Sequence, residues 1–545
     1  VMVASRPRSY SQLNTHRWAI GLIVIITLWR IALATILPIT QDEAYYVNWS
    51  WVLQWGYFDH PPGVALLSST SLLAAGNVFA ARLGTLIVAT FTVIALWRLY
   101  WQLGLRDQST APGELTIAML IVSATIPGAL VGIITTPDTL LTLCWVLALH
   151  EAHAATCHTQ QRWRWLIAGL FTGCGLLSKY IMVLIGPVLL VLILLIDRAA
   201  LRTRWPYLGG FIAIMICLPH IVWNANHDWL TVRFQFGHGF STDAGTMQLL
   251  AEQVLPAVVT TQPYSLAATP MSLLDRIASV ASFISSQLGF FGAMLIAFTV
   301  GVGRLNSADA IQQMRHWWST QFTAPARALL LTATGAPLLL FGSIASFSSV
   351  EANWAALFLI TAAPIFAMAL RRLSNWVMTT AAINLLLVSL YIGYAAIAWP
   401  PLPDQIKRGL RETHGFAELA DSVAQQAQSI AVFADRYQLA AMLNFYQPQL
   451  QVNQWPGITR PSEYLRGFIV PLLPLTVLKQ RGFWLVTSKI TPATIPGFIP
   501  VQQQVFIDCA GQVVQRLDVT NSGETACQHP LHWWQLIQYQ SIVVR

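Results

Sequence analysis

Apolar runs long enough to cross a bilayer recur along this chain from near its start to about residue 397. A run of about 17 to 25 such residues spans the hydrocarbon core as one α-helix, because a helix satisfies its own backbone hydrogen bonds where no water is present. Composition points the same way. Only 10% of the 545 residues are charged and 55% are hydrophobic, with a mean hydropathy of +0.55. A soluble domain carries about 25% charged residues, so this chain lacks the polar surface to cover a water-soluble fold. Its 22 Trp and 14 Tyr suit aromatic belts at two membrane interfaces.

Eleven spans are predicted, at about 18–37, 79–99, 115–133, 138–156, 163–178, 180–197, 206–224, 280–303, 326–344, 352–370 and 374–397. The fifth and sixth are separated only by Ser178, Lys179 and Tyr180. Charge orients the set. Connections on the side of the N-terminus hold fifteen arginines: Arg6, Arg8, Arg17, Arg98, Arg106, Arg162, Arg164, Arg198, Arg202, Arg204, Arg304, Arg315, Arg327, Arg371 and Arg372. The opposite connections hold four cations, Arg82, Lys179, Arg233 and Arg276. That is the positive-inside pattern, so the N-terminus is expected in the cytoplasm, and the odd span count puts everything from about 399 outside. The net charge of +8 is therefore read as topology, with no nucleic-acid partner implied. Ala32-Leu33-Ala34 resembles a signal-peptidase site, but Arg30 just before it argues against cleavage.

Past Pro400 the character changes. The tail holds eleven of the 31 Lys and Arg, and segments such as Ser429–Phe433 and Phe483–Thr487 alternate like strands. The expected organisation is a polytopic α-helical membrane domain over 1–398 and a small extracytoplasmic α/β domain over 399–545. Cys144, Cys157, Cys174 and Cys217 read as packing residues. Cys509 and Cys527 are the tail's only pair, and an oxidising compartment would allow a disulfide, which spacing alone does not decide.

The candidate chemical residues collect on the external side. The first external loop carries Asp42, Glu43, Asp59 and His60, a cluster suited to general-base work or metal ligation. Asp42 alternatively caps a short interfacial helix, with Tyr45, Trp49, Trp51 and Trp55 as a membrane-facing stripe. Asp138 opens the fourth predicted span after Pro137, which suits a helix start as well as a functional carboxylate. Lys179 breaks an apolar helix pair beside Tyr180, where a cation can bind a phosphate or snorkel to water. In the long external loop, Gly237 and Gly239 suggest a tight turn presenting His238. Glu351 and Asn353 stand in the last external connection. Arg30 lies inside the first span, where an arginine either serves a function or pairs with a neighbouring helix. His150-Glu151-Ala152-His153 has the wrong spacing for a zinc-protease motif, and the chain has no P-loop, no G-x-S-x-G elbow and no paired C-x-x-C. An ATP-driven pump and a serine hydrolase are thereby disfavoured.

Asp42-Glu43-Ala44-Tyr45-Tyr46 followed by Tyr57-Phe58-Asp59-His60-Pro61-Pro62 resembles the first external loop of bacterial GT-C glycosyltransferases. These are the relatives of protein O-mannosyltransferases and of the aminoarabinose transferase of lipid A. Thr136-Pro137-Asp138-Thr139, Leu177-Ser178-Lys179-Tyr180, Trp223-Asn224, Phe236-Gly237-His238-Gly239 and Glu351-Ala352-Asn353-Trp354 resemble further landmarks in the family's order. In the tail, only Asp435-Arg436-Tyr437-Gln438-Leu439-Ala440, before Phe445-Tyr446, is similar. The resemblance implies a GT-C fold and transfer from a polyprenyl-phosphate sugar to an acceptor glycan, lipid A, other lipid or protein. It implies Asp42 as the base or acceptor coordinator and Glu43 as its partner. His60 stands where the aminoarabinose branch has lysine, which leaves the sugar open.

The chemistry is coherent with that implication. An enzyme outside the membrane has no nucleotide sugar, so its donor arrives on a lipid, with Lys179, Arg82, Arg233 and Arg276 as the cations for its phosphate. Asp42 would take the acceptor's proton, with inversion at the sugar carbon. A divalent metal held by Asp42, Asp138 or His60 is a candidate cofactor. The competing expectations are a transporter or flippase of lipid-linked sugars, and a membrane-anchored binding protein. The first would place its charges near the midplane of related halves; here they sit at external helix ends.

Overall fold

The computed structural model describes residues 11–240, 272–304, 312, 316, 318–348, 350–398, 403, 407–509, 515–518 and 530–542. Six of its helices are long and apolar enough to cross a membrane: His16–Ile36, Val78–Gln102, Pro137–Cys157, Trp205–Ala225, Ala324–Ile344 and Arg371–Ile397. Each coincides with a predicted span. Their outer faces leave large apolar side chains uncovered, including Leu28 at 61%, Leu339 at 73% and Leu390 at 60%. Burying one such side chain is worth about 1.5–3 kcal/mol, so faces of this kind are built for lipid. The inner faces close on a core around Leu99, Tyr100, Trp145 and Phe358.

The remaining predicted spans depart from straight membrane-length helices. The one expected over 115–133 is Glu114–Ala124 followed by Ile126–Leu130. Thr125 breaks it: its backbone is extended, its side chain caps the second piece by accepting from Gly128 N, and Pro127 suits the new helix start. The one expected over 280–303 is two helices, Leu273–Gly289 and Met294–Arg304, bent by 100°. Gly292 lies at that bend with φ +51°, a conformation most side chains resist. Arg164–Leu176, Tyr180–Ile196 and Phe358–Ala369 are apolar but shorter than 18 residues.

Two elements after the first span position the site. The first helix, α1 (Ser11–Ile36), runs unbroken through Ala32–Ala34. After a short turn, α2 (Gln41–Ser50) begins with a capping box: Glu43 N donates to Thr40 Oγ1 at 3.3 Å, and Thr40 N donates back to Glu43 Oε2 at 3.1 Å.

Every strand among the described residues lies beyond residue 431. β1 (Val432–Ala434), β2 (Asn453–Gln454), β3 (Phe483–Thr487), β4 (Phe498–Asp508), β5 (Gln515–Asp518) and β6 (His532–Ser541) form one sheet in the order β2-β1-β3-β6-β4-β5. β1 pairs parallel with β2 and β3, and the other pairings are antiparallel. The helices Phe416–Ala427 and Tyr437–Tyr446 join this sheet to α2 in a shared core that includes Tyr45, Trp49, Leu419, Met442, Tyr464 and Leu536. Asn48 Nδ2 donates into the tail, to Ala441 O at 3.1 Å and Tyr464 Oη at 2.6 Å. This corrects the reading of Tyr45 and Trp49 as membrane-facing anchors. They are 1% and 0% exposed, because the tail covers that face of α2, whereas Trp55 is 54% exposed. Cys144, Cys157, Cys174 and Cys217 are free thiols and Cys509 is disulfide-bonded. Cys527 lies outside the described residues.

Candidate active site

The adjacent carboxylates Asp42 and Glu43 have opposite surroundings. Glu43 is buried, and Arg82 grips it with two bonds, Nε to Oε1 at 2.8 Å and Nη2 to Oε2 at 2.6 Å. Thr135 N donates to Oε1 at 2.9 Å, so Glu43 ties together α2, the Val78–Gln102 helix and the 131–136 connection. Arg82, fully buried, spends its other donors on carbonyls, including Ala34 O at 3.0 Å and Pro38 O at 2.9 Å. The pair is a structural clamp. Arg82 is therefore not presented to a phosphate, and Glu43 is not presented to an acceptor.

Asp42, one residue earlier on the helix, turns to solvent. Tail residues crowd its carboxyl, and desolvation pushes that carboxyl above the ordinary range. Arg460 opposes the shift, Glu412 and Asp59 add to it, and the hydrogen bond from Tyr437 opposes it. Tyr437 Oη donates to Asp42 Oδ1 at 3.2 Å. Arg460 stacks on the Tyr437 ring at 4.2 Å and donates through Nη1 to Asp59 Oδ1 at 2.8 Å. Tyr45 Oη donates to the other oxygen of Asp59 at 2.9 Å and accepts from Glu463 N at 2.8 Å. Asp59 thus anchors the tail cation that faces Asp42. Beneath it, burial pushes the Glu463 carboxyl up to about 7, against the pull of Arg466.

A second cluster gathers Asp138, Lys179 and Asn353. Lys179 Nζ lies 2.9 Å from both Asp138 oxygens, and Asn353 Nδ2 donates to Asp138 Oδ2 at 3.1 Å. Ser178 Oγ donates to Pro137 O at 2.6 Å, locking the helix break that carries Lys179 onto the start of the Pro137–Cys157 helix. Asp138 and Asn353 also rim a cavity of about 470 Å³, which runs among apolar side chains to Arg30. Thr135, which bonds Glu43 beside Asp42, stands three residues before Asp138, so the 131–136 connection joins the two clusters.

The other expected residues are distributed as follows. Tyr180 bonds His220 at 2.7 Å, and His220 in turn meets Trp55 O at 2.6 Å. His60 lies 3.3 Å from Gln235 Nε2. Glu351 is exposed at the start of the turn that carries Asn353. Gly237-His238-Gly239 does not form a tight turn. It lies in the helix Leu230–Phe240, which also carries the exposed Arg233. Arg276 is exposed in the first turn of the Leu273–Gly289 helix, and no described contact joins it to Asp42 or Lys179. Asp42, Asp138 and His60 do not form a metal-ligand set, since Lys179 and Asn353 occupy Asp138 and, among the described residues, no three His, Cys, Asp or Glu side chains converge.

Sequence reasoning missed Arg460 and the role of Tyr437. The Asp435-Arg436-Tyr437 segment was a visible signal for the second; nothing local marks Arg460.

Residues 59–223 match the family model described as dolichyl-phosphate-mannose-protein mannosyltransferase. The chain is similar to the structure of ArnT from Cupriavidus metallidurans bound to undecaprenyl phosphate, with a TM-score of 0.56 at 14% identity, covering 87% of this chain and 93% of that one. This chain has the fold of ArnT. The apo state of the same ArnT is matched over 95% of this chain and 97% of that one, with a TM-score of 0.55 at 13% identity. A curated relative, lipid A galacturonosyltransferase RgtD of Rhizobium johnstonii, is 28% identical over 221 residues, 39% of this chain. That alignment spans 45% of the relative's length. The family model covers under half of the chain and begins at Asp59, past the Asp42-Glu43 motif, while the likeness to ArnT extends over most of the chain as a fold.

Proposed function

We propose that this chain is an integral membrane glycosyltransferase that moves a sugar from a polyprenyl-phosphate donor to an extracytoplasmic acceptor, which is lipid A, another glycan or lipid, or a protein. In this reading about eleven segments span a bacterial inner membrane, and residues 399–545 form a periplasmic α/β domain closing over α2. One observation carries the reading: a solvent-accessible carboxylate, Asp42, is held by Tyr437 under a half-buried tail cation, Arg460, while Asp138, Lys179 and Asn353 gather at an apolar cavity. The names of the relatives support it, since ArnT has been seen with undecaprenyl phosphate and RgtD is a lipid A galacturonosyltransferase.

The acceptor's hydroxyl or amine attacks the anomeric carbon as Asp42 takes its proton, and the bond from carbon to phosphate oxygen breaks with its electron pair leaving on the phosphate. The configuration inverts. A carboxylate whose pKa lies above the ordinary range is a better proton acceptor than an unperturbed one. Lys179 contacts the donor from the Asp138–Asn353 rim, and cations there stabilise the charge growing on the leaving group.

The test incubates purified wild type and Asp42→Asn with radiolabelled polyprenyl-phosphate sugars and membrane extract. Label entering a new product with wild type alone is expected. Retained transfer by Asp42→Asn removes the base. Donor flipping into the outer leaflet without turnover replaces the enzyme by a transporter.

A further inference from the structure

Among the described residues, Arg30 is a buried cation whose hydrogen bonds go only to neutral groups. It is 94% buried within α1, since only 6% of it is exposed. Its partners are two neutral carbonyls, with Nη1 donating to Ala89 O at 3.3 Å and Nη2 to Gly128 O at 2.7 Å. No carboxylate bonds it among the described residues. A charge held this way in a membrane span is expensive unless an anion completes it. The backbone makes room for it, because a Cβ at Gly132 would lie 2.2 Å from Arg30 Nε.

The cavity wall around it repeats the pattern. Arg30, Ser123 and Thr136 all line the 470 Å³ cavity, and Arg30 Nε, Ser123 Oγ and Thr136 Oγ1 are buried polar atoms without a hydrogen-bond partner. Most of the remaining lining is apolar, including Ala89, Val93, Leu96, Val131 and Ile134. Orphaned polar atoms beside one uncompensated guanidinium describe a receptor for an anion that carries a hydrocarbon chain. The guanidinium also lies at a useful height. It contacts the 128–132 segment, and Thr135 of the same connection bonds Glu43, the neighbour of Asp42. At the cavity's mouth stand Asp138, Asn353 and Arg408.

We infer that Arg30 binds the phosphate of the polyprenyl-phosphate donor in this cavity, with Ser123 and Thr136 as auxiliary donors and the sugar directed toward the Asp138–Asn353 rim. This rests on the proposed transferase reading and assigns its leaving group to a specific cation. On transfer the phosphodiester monoanion becomes a monoester dianion as the carbon–oxygen bond breaks and the acceptor's proton passes to Asp42. A fixed guanidinium whose other bonds go to neutral carbonyls favours the dianion more than the monoanion. Lys179, already neutralised by Asp138, offers less of that difference.

The test measures binding of undecaprenyl phosphate and of the neutral alcohol undecaprenol to the full chain in lipid nanodiscs. Arg30→Gln is expected to weaken the phosphate at least tenfold and leave the alcohol unchanged, with Arg30→Lys intermediate. Equal phosphate affinity in wild type and a folded Arg30→Gln overturns the assignment while leaving the transferase reading intact. Absence of phosphate binding by wild type overturns the lipid-donor reading itself. Should Arg30→Gln fail to fold, the Ser123→Ala/Thr136→Val double variant, which removes only unpartnered hydroxyls, is expected to weaken the phosphate severalfold. Unchanged affinity there overturns the assignment equally.

Discussion

Tyr437 Oη donates to Asp42 Oδ1 at 3.2 Å across 395 residues of chain. The bond makes the tail part of the candidate site: the group that steadies the proposed base comes from the helix Tyr437–Tyr446, and the cation stacked on that tyrosine is Arg460. Both favour the ionised form of Asp42 and so hold down a pKa that desolvation raises.

Tyr437→Phe is therefore expected to raise the Asp42 pKa further. A base must be deprotonated to act, so the acid limb of the pH profile of kcat/KM moves to higher pH. Arg460→Gln should move it further, because Arg460 is the largest influence lowering that pKa. An unmoved limb in both variants would show that another group limits the rate at low pH.

Stability should separate the two neighbouring carboxylates. Glu43→Ala strands the fully buried Arg82, and breaking such a pair costs about 3–5 kcal/mol. Asp42→Asn removes an exposed charge with one hydrogen bond and should change stability by no more than about 0.5 kcal/mol. Thermal unfolding of both variants in one detergent checks the contrast; a larger loss for Asp42→Asn would contradict the clamp.

Lys179→Met should weaken donor use and also destabilise the fold, since Asp138 loses its counter-ion. Adding Asp138→Asn removes the stranded charge. The double variant is expected to recover most of the stability and none of the donor affinity, a coupling that a double-mutant cycle measures. Recovery of both would reduce Lys179 to an interfacial anchor.

In the tail, the hydrogen bond to Asp508 raises the pKa of His414 against the opposing effect of burial. A folded-state pKa above the unfolded value of about 6.5 contributes stability that is fully present below that pH. The contribution is lost as pH rises through the raised value. Wild type should thus lose stability across that window, and His414→Gln should lose less; identical pH slopes in chemical denaturation would remove the pair from the account.

The membrane class and six of the helices were legible in the sequence. Hydrophobic length and the bias of arginines between connections are local properties, and the bilayer imposes them segment by segment. The Asp42–Glu43 pair was visible as a motif, but the division of labour within it was not. Consecutive residues on α2 point in different directions, and only packing decides that Glu43 meets Arg82 while Asp42 meets Tyr437. The breaks at Thr125 and Gly292 escaped a hydropathy reading because both flanks are equally apolar, so the interruption depends on caps and backbone angles. Arg460 and Tyr437 reach Asp42 only because the tail packs over Tyr45 and Trp49, which a scan of spans reads as membrane anchors. Arg30 carried its signal in the sequence, as an arginine within an apolar span. That its partners are neutral carbonyls beside an open cavity is set by helices distant in the chain, and only their packing could decide it.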